Sequence, residues 1–271
     1  CMDTAHKHYE NFPVASLLLP RQSRKHVAAL YCFARQADDL ADEGDQPDGM
    51  RIQALNSMRA ELHQCTQGKI PDQPMYRALA DTIQRYNLPL VLFDDLISAF
   101  NQDVMKHRYT DFDDLLDYCK RSANPVGRLM LHLHRQTDEQ SMQQSDALCT
   151  ALQLINFCQD LQQDYTEMKR IYIPLEDLAS HHVTEQHFIN AISDDAMHHL
   201  MQLQYLRASQ FLTQGAKLGK RLHGRFGLEI KLIIAGGQRI LHKLNKQKNK
   251  FSRPRLNTYD KLWMLKTALL S

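Results

Sequence analysis

The 271-residue sequence carries 33 basic and 31 acidic side chains, for a net charge of +2, and 43% of its residues are hydrophobic. A disordered chain and a protein that coats nucleic acid through a global basic field are both excluded by that balance. No apolar run approaches the roughly 18 residues of a membrane span, and the start lacks a basic and apolar leader, so secretion is not expected.

Glycine and proline together make up only about 7% of the chain against an average near 12%, too few turn residues for a sheet-rich domain. Apolar residues recur instead at three and four, as in Val27, Leu30, Tyr31, Ala34, Ala37 and Ala41. Pro13 and Pro20 bracket an entry segment, and Pro20 opens a helix of about 24 residues that ends near Glu43-Gly44. A loop at 46–49 precedes a second helix reaching Gly68, followed by a turn with Pro71 and Pro74. The spacing predicts further helices over 75–86, 90–106, 111–121, 126–136, 141–167, 185–192, 194–222, 227–245 and 257–270. Pro125 must break or kink its helix, because it clashes with the preceding turn and keeps Asn124 from easy α geometry. No repeat or long linker marks a boundary, so the reading is one all-α domain spanning 1–271.

Six cysteines lie scattered with no CxxC pair, which reads as reduced thiols of a cytoplasmic protein. The informative residues form two polar ridges. Tyr31, Arg35, Asp38 and Asp42 follow one another at four, three and four along one helix face, with Asp39 beside them. Gln153, Asn156, Asp160 and Asp164 do the same at three, four and four, set among apolar residues in ALQLINF. One pair of aspartates at this spacing is usually a wet helix face. Two such ridges set in apolar surroundings cost free energy unless they meet partners. Facing carboxylates at about 4 Å repel by about 4 kcal/mol at an effective dielectric of 20. Ridges confronting each other inside a bundle would therefore need cations between them.

Oxygen ligands without clustered Cys or His point to a hard ion, and Mg²⁺ suits a few carboxylates completed by water and phosphate oxygens. Arg35 would then contact phosphate, and Lys169, Arg170 and Tyr172 could close the same end. Neither GxxxxGK[ST] nor GxGxxG is present, so a nucleotide is not indicated. An apolar helical interior with acidic ridges suits a lipid-like diphosphate.

At these residues the sequence resembles the squalene/phytoene synthase family. Asp38 and Asp42 match its DxxxD motif within RQADDLADE, and Gln153, Asn156, Asp160 and Asp164 match QxxNxxxDxxxD within QLINFCQDLQQD. The run KRIYIPLEDL at 169–178 is similar to the family segment that follows. HYENFPVAS, SANPVG and INFCQD are most similar to the bacterial hydroxysqualene synthase branch of hopanoid biosynthesis. The resemblance implies an isoprenoid-synthase helical bundle around a central cavity. It implies that presqualene diphosphate is ionised and its cation captured by water.

It further implies Mg²⁺ on Asp38, Asp42, Asn156, Asp160 and Asp164, diphosphate contacts from His8, Arg35 and Gln153, and Tyr31 and Phe12 along the cleft. Many condensing members have Arg immediately before the third motif aspartate; here Gln159 stands there, which removes a phosphate cation. With no dinucleotide fingerprint and no membrane span, this leans toward water capture without a reductant. The alternatives are head-to-head condensation of two prenyl diphosphates and a non-catalytic partner-binding protein on the same scaffold. No nucleic-acid partner is expected.

Among other residues, His181-His182 and His198-His199 read as surface, and His132 and His134 as core or rim. Met197, Leu200, Met201, Leu203 and Leu206 read as plain core. The basic run His242, Lys243, Lys246, Lys248, Lys250, Arg253 and Arg255 is a solvated connector, or a seat on anionic lipid at the inner membrane face, or a fold over the diphosphate.

Overall fold

The computed structural model describes residues 21–69 and 72–270. The expected all-α architecture is found. Among the described residues the one β feature is an isolated parallel bridge between Arg108 and Ile171. Chain packing forms two compact units. One holds the described residues up to Met105 with Pro125–Met142, and the other holds Lys106–Asn124 with the residues from Gln143 onward.

In the first unit α1 (Arg21–Asp42) packs against α2 (Asp48–Thr66), α3 (Pro74–Tyr86) and α4 (Leu90–Met105). Of the residues its period placed on one face, helix α1 buries Val27, Leu30, Ala37 and Ala41 and leaves Tyr31 and Ala34 half-buried, while Phe33 is buried as well. Phe33 meets Phe93 of α4 edge to face, with ring centroids 5.4 Å apart. His26 is buried on the same face, where its Nδ1 lies 2.9 Å from Thr82 Oγ1 of α3 and its ring meets Tyr86 edge-on. Helix α2 buries Leu55, Met58, Leu62 and Cys65, an alternation of three and four that runs the whole seam. Pro74 occupies the first turn of α3, where its missing N–H costs nothing, and Asn87 ends that helix in the left-handed region.

The second unit contains α5 (Phe112–Ser122), capped by Asp111, whose carboxylate accepts a 2.8 Å bond from the Asp114 amide. The break expected at Asn124-Pro125 is found, at Ala123, and α6 (Asn124–Leu133), which belongs to the first unit from Pro125 on, takes the proline into its first turn. The Asn124 side chain is anchored by Thr150, whose hydroxyl lies 3.0 Å from Asn124 Oδ1. Helix α7 (Glu139–Gln159) and α8 (Leu161–Met168) replace the single run expected over 141–167. Asp160 leaves helical geometry at φ −107°, ψ 17°. The backbone bonds Asp160 N to Asn156 O and Asp164 N to Asp160 O, both 2.9 Å, continue past the bend. No proline or glycine causes it; the side chains of Gln159 and Asp160 are both engaged by residues near position 254.

Short helices α9 (Leu175–Ser180) and α10 (Glu185–Ile189) follow, then α11 (Asp195–Gly215), α12 (Leu218–Arg221), α13 (Gly224–Lys246) and α14 (Thr258–Leu270). The expected helix over 194–222 is thus divided at 216–217, and α9 was not foreseen. Helix α11 buries Met197, Leu200 and Met201 as expected, while Leu206 is 55% exposed and does not belong to that core stripe. Glycine 215 lets α11 touch α7: a Cβ there would sit 2.5 Å from Leu148 Cα. The described cysteines are all free thiols, and Cys65, Cys119 and Cys158 are buried.

Candidate active site

The first ridge occupies the last turns of α1. Tyr31, Arg35, Asp38, Asp39 and Asp42 are all half-buried. Arg35 donates from Nη1 to Asp38 Oδ2 at 2.8 Å, and its Nη2 lies 2.6 Å from both Asp39 Oδ1 and Glu43 Oε1. One guanidinium therefore organises three acids. Burial raises the Tyr31 phenol above its ordinary pKa; Arg35 opposes that rise, and Asp38 and Asp39 add to it. Asp38, Asp39, Asp42 and Glu43 crowd the C-terminal end of a helix, where the macrodipole already presents negative charge. Arg51 of α2 offsets part of this by donating to the Ala41 carbonyl at 2.5 Å and to that of Gly44. A helix end carrying this many acids is electrostatically suited to a cation.

The second ridge runs through the bend between α7 and α8. Gln153 and Asn156 are half-buried among Leu154, Ile155, Phe157 and Cys158, which are buried. Phe157 stacks on Tyr172 at 3.8 Å and 8°, and Tyr118 and Tyr109 join the same aromatic cluster, which fixes this turn of α7 in place. Asp160 is buried and Asp164 is half-buried one turn on. The Asp164 carboxyl is pushed up to about 8, chiefly by burial and next by the Asp160 charge, against the opposing pull of Arg170 and Arg253.

The two cationic residues after the ridge part company. Lys169 takes the left-handed conformation at φ 54°, so that the chain turns back and the Arg170 amide reaches the Asp164 carbonyl at 3.1 Å. Arg170 is buried, whereas Lys169 is exposed with its ammonium 4.8 Å from the Tyr165 ring centroid. Arg108 holds this turn by donating to the Lys169 carbonyl and to Glu185 Oε1 at 2.7 Å. His8 and Phe12 lie outside the described residues.

One functional side chain was only glimpsed in the sequence. Arg253, 93 residues away, forms a two-pronged ion pair with Asp160, its Nη2 3.2 Å from Oδ2 and its Nε on Oδ1. Next to it, Gln159 Nε2 donates to the Pro254 carbonyl at 2.6 Å. The position before the motif aspartate thus lacks an arginine, but Asp160 does not lack a guanidinium. Lys250 supports the loop that carries Arg253: its buried ammonium donates to the Gln247 carbonyl at 2.9 Å, and its amide donates to Ser193 Oγ at 2.9 Å.

Among the described residues, no three His, Cys, Asp or Glu side chains form a metal cage of their own. Magnesium does not require one, since it takes one or two carboxylates and completes its octahedron with water and phosphate. The donor set fits it: oxygen ligands one turn apart, with an Asp164 carboxyl raised by its burial and by the neighbouring Asp160 charge.

The squalene/phytoene synthase family model matches residues 5–260. The hydroxysqualene synthase of Zymomonas mobilis is 35% identical over 227 residues, which span 83% of this chain and 75% of that protein. The 15-cis-phytoene synthase of Synechococcus elongatus is 30% identical over 229 residues, spanning 80% and 73%. The crystal structure of squalene synthase HpnC from Alicyclobacillus acidocaldarius matches with a TM-score of 0.85 at 36% identity, covering 94% of each chain.

Proposed function

Because the chain belongs to the squalene/phytoene synthase family and is an isoprenoid synthase, we propose that it converts presqualene diphosphate and water to hydroxysqualene and diphosphate with Mg²⁺. The likeness to the Zymomonas hydroxysqualene synthase supports the choice of substrate. The observation that carries the chemistry is the Asp160–Asp164 pair, two carboxyls one turn apart sunk beside apolar side chains, with burial and the Asp160 charge both raising the Asp164 carboxyl. Asp38 and Asp42 on the first ridge would hold Mg²⁺, as would Asn156, Asp160 and Asp164 on the second. When bound, Mg²⁺ supplies Lewis-acid stabilisation of the departing diphosphate, worth several kcal/mol of barrier.

The carbon–oxygen bond to the diphosphate breaks, and the electron pair leaves with the diphosphate. A water oxygen then bonds to the cyclopropylcarbinyl cation as the ring opens, and the proton of that water is released. Arg35 holds the first-ridge carboxylates in place and offers donors to phosphate oxygens; Gln153, Tyr31, Lys169 and Arg170 are assigned to substrate. The buried wall of Leu154, Ile155 and Phe157 beside the second ridge excludes bulk water, so that capture is limited to an ordered molecule. Such lipid-like molecules also favour a cytoplasmic enzyme in peripheral contact with the inner face of the membrane. No helix among the described residues is long and apolar enough to cross it.

Head-to-head condensation of two prenyl diphosphates is the second reading, favoured by the guanidinium that Arg253 brings to Asp160. Purified protein with Mg²⁺ is offered presqualene diphosphate and farnesyl diphosphate separately, with products identified by mass spectrometry. An oxygenated C30 product from the first is expected. Presqualene diphosphate or a C30 hydrocarbon made from the second would establish condensation instead. Asp38→Ala and Asp160→Ala are each expected to lose turnover by at least about 10²–10³-fold while keeping helical circular dichroism. Near-wild-type activity in either would overturn the metal assignment.

A further inference from the structure

The last helix, α14, packs on α13 through one ion-paired aspartate and two apolar side chains. Asp260, Met264 and Ala268 follow at intervals of four and face α13: Asp260 is 1% exposed and Ala268 2%. Asp260 accepts from Arg239 Nε at 2.6 Å and from Lys243 Nζ, and the Asn257 amide donates to it at 2.9 Å. Gly236 of α13 leaves room for Met264: a Cβ there would lie 3.2 Å from the Met264 methyl carbon. Arg239 also lies over the Trp263 ring, 5.6 Å from its centroid. The helix is therefore firmly seated by ion pairs on one side.

The opposite side is apolar and open. Leu262, Leu265 and Leu269 are 63%, 45% and 65% exposed. At about 100° per residue they fall within an arc of roughly 60° whose centre lies about 130° around the helix from Met264. On the same count Lys261 flanks this arc on one side and Lys266 on the other, with the exposed ring of Tyr259 just beyond Lys266. The ion pairs of Asp260 join the start of α14 to a shallow pocket of about 440 Å³ whose lining includes Arg239, His242, Lys243 and Lys246. Apolar contact area, lysines at its margins and a basic hollow nearby suit a surface that is greasy within and anionic at its rim.

We propose that the Leu262–Leu265–Leu269 face of α14, with Lys261 and Lys266, is the surface by which this protein docks on an anionic lipid bilayer. A second copy of the chain would set Lys261 and Lys266 against the same lysines across a two-fold interface, whereas phosphate headgroups complement them. The inference rests on the peripheral-membrane part of the proposed function and not on the identity of the reaction. It moves the contact from the basic run itself to the helix that this run anchors.

Co-sedimentation with phosphatidylglycerol/phosphatidylcholine vesicles tests it, without any turnover readout. The wild type is expected to bind these vesicles at low salt, bind pure phosphatidylcholine at least 10-fold more weakly, and lose affinity as salt rises. Leu262→Glu/Leu269→Glu is expected to lose at least 10-fold in binding, and Lys261→Glu/Lys266→Glu likewise, with melting temperature and turnover of detergent-dispersed substrate unchanged. Absence of wild-type binding at low salt, wild-type binding by both variants, or equal binding to zwitterionic vesicles would overturn the proposal. So would a wild-type dimer in analytical ultracentrifugation that Leu262→Glu/Leu269→Glu converts to monomer. A protein that docks as expected yet makes no oxygenated product refutes the reaction alone.

Discussion

Asp160 serves as ridge carboxylate and as the partner of Arg253. It is buried, and the arginine side chain is about one-quarter exposed. Removing one member leaves the other poorly compensated, whereas removing both deletes the mismatch as well. Asp160→Ala and Arg253→Met are therefore each expected to destabilise by about 1–3 kcal/mol. The double variant should fall short of the sum by at least about 1 kcal/mol in urea unfolding. Strict additivity would mean that the pair makes no energetic contact. The aspartate stripe was legible because helical period alone aligns Gln153, Asn156, Asp160 and Asp164. Arg253 was legible only as one of several cations in a basic run, since nothing local distinguishes it from Arg255.

Two helices carry predictions of their own. Where α11 touches α7, Gly215→Ala would drive a methyl against backbone rather than against a yielding side chain tip, because Leu148 Cα lies 2.5 Å from the added carbon. A cost of about 1–3 kcal/mol is expected, read as a lower urea midpoint at unchanged m-value. Helix α14 depends on Asp260. Burial alone would raise its carboxyl, but the Asn257 amide, Lys243 and Arg239 outweigh that and hold it well below the usual carboxylate range. A carboxyl lowered in the folded state stabilises the fold above its unfolded pKa of about 4, and that stabilisation is lost as pH falls toward the folded value. Wild type should melt above Asp260→Asn at neutral pH, and the gap should narrow as pH drops below about 4. A gap independent of pH would show that the ionised carboxylate contributes nothing. The break between α7 and α8 was hidden from the sequence, because no proline or glycine marks position 160 and the spacing of polar residues passes through it undisturbed.

At the scale of the molecule, ligand linkage distinguishes a metal–diphosphate enzyme from an inert scaffold. A ligand at 100 times its dissociation constant stabilises the native state by about 2.7 kcal/mol. For a chain of this size that corresponds to a rise in melting temperature of roughly 5–10 °C. Inorganic diphosphate with Mg²⁺ should produce such a rise, each alone should produce less, and Asp38→Ala should diminish it. Equal shifts with and without Mg²⁺ would argue against metal-bridged binding.

The all-α class, the positions of most helices and both carboxylate stripes follow from the sequence by itself, because 3.6-residue periodicity is a local property that residue spacing expresses directly. Which side of a stripe faces inward is not local. The period over 257–270 gives a helix without saying which side is buried, and the folded chain buries Asp260 while Leu262, Leu265 and Leu269 stay exposed. Arg239 and Lys243 neutralise the aspartate and leave the leucines outside. The pairing of Gln159 with Pro254 and of Asp160 with Arg253 likewise spans more than ninety residues. Only tertiary structure decides such contacts, because a buried charge is tolerable where its counter-charge arrives, and sequence spacing does not encode that arrival.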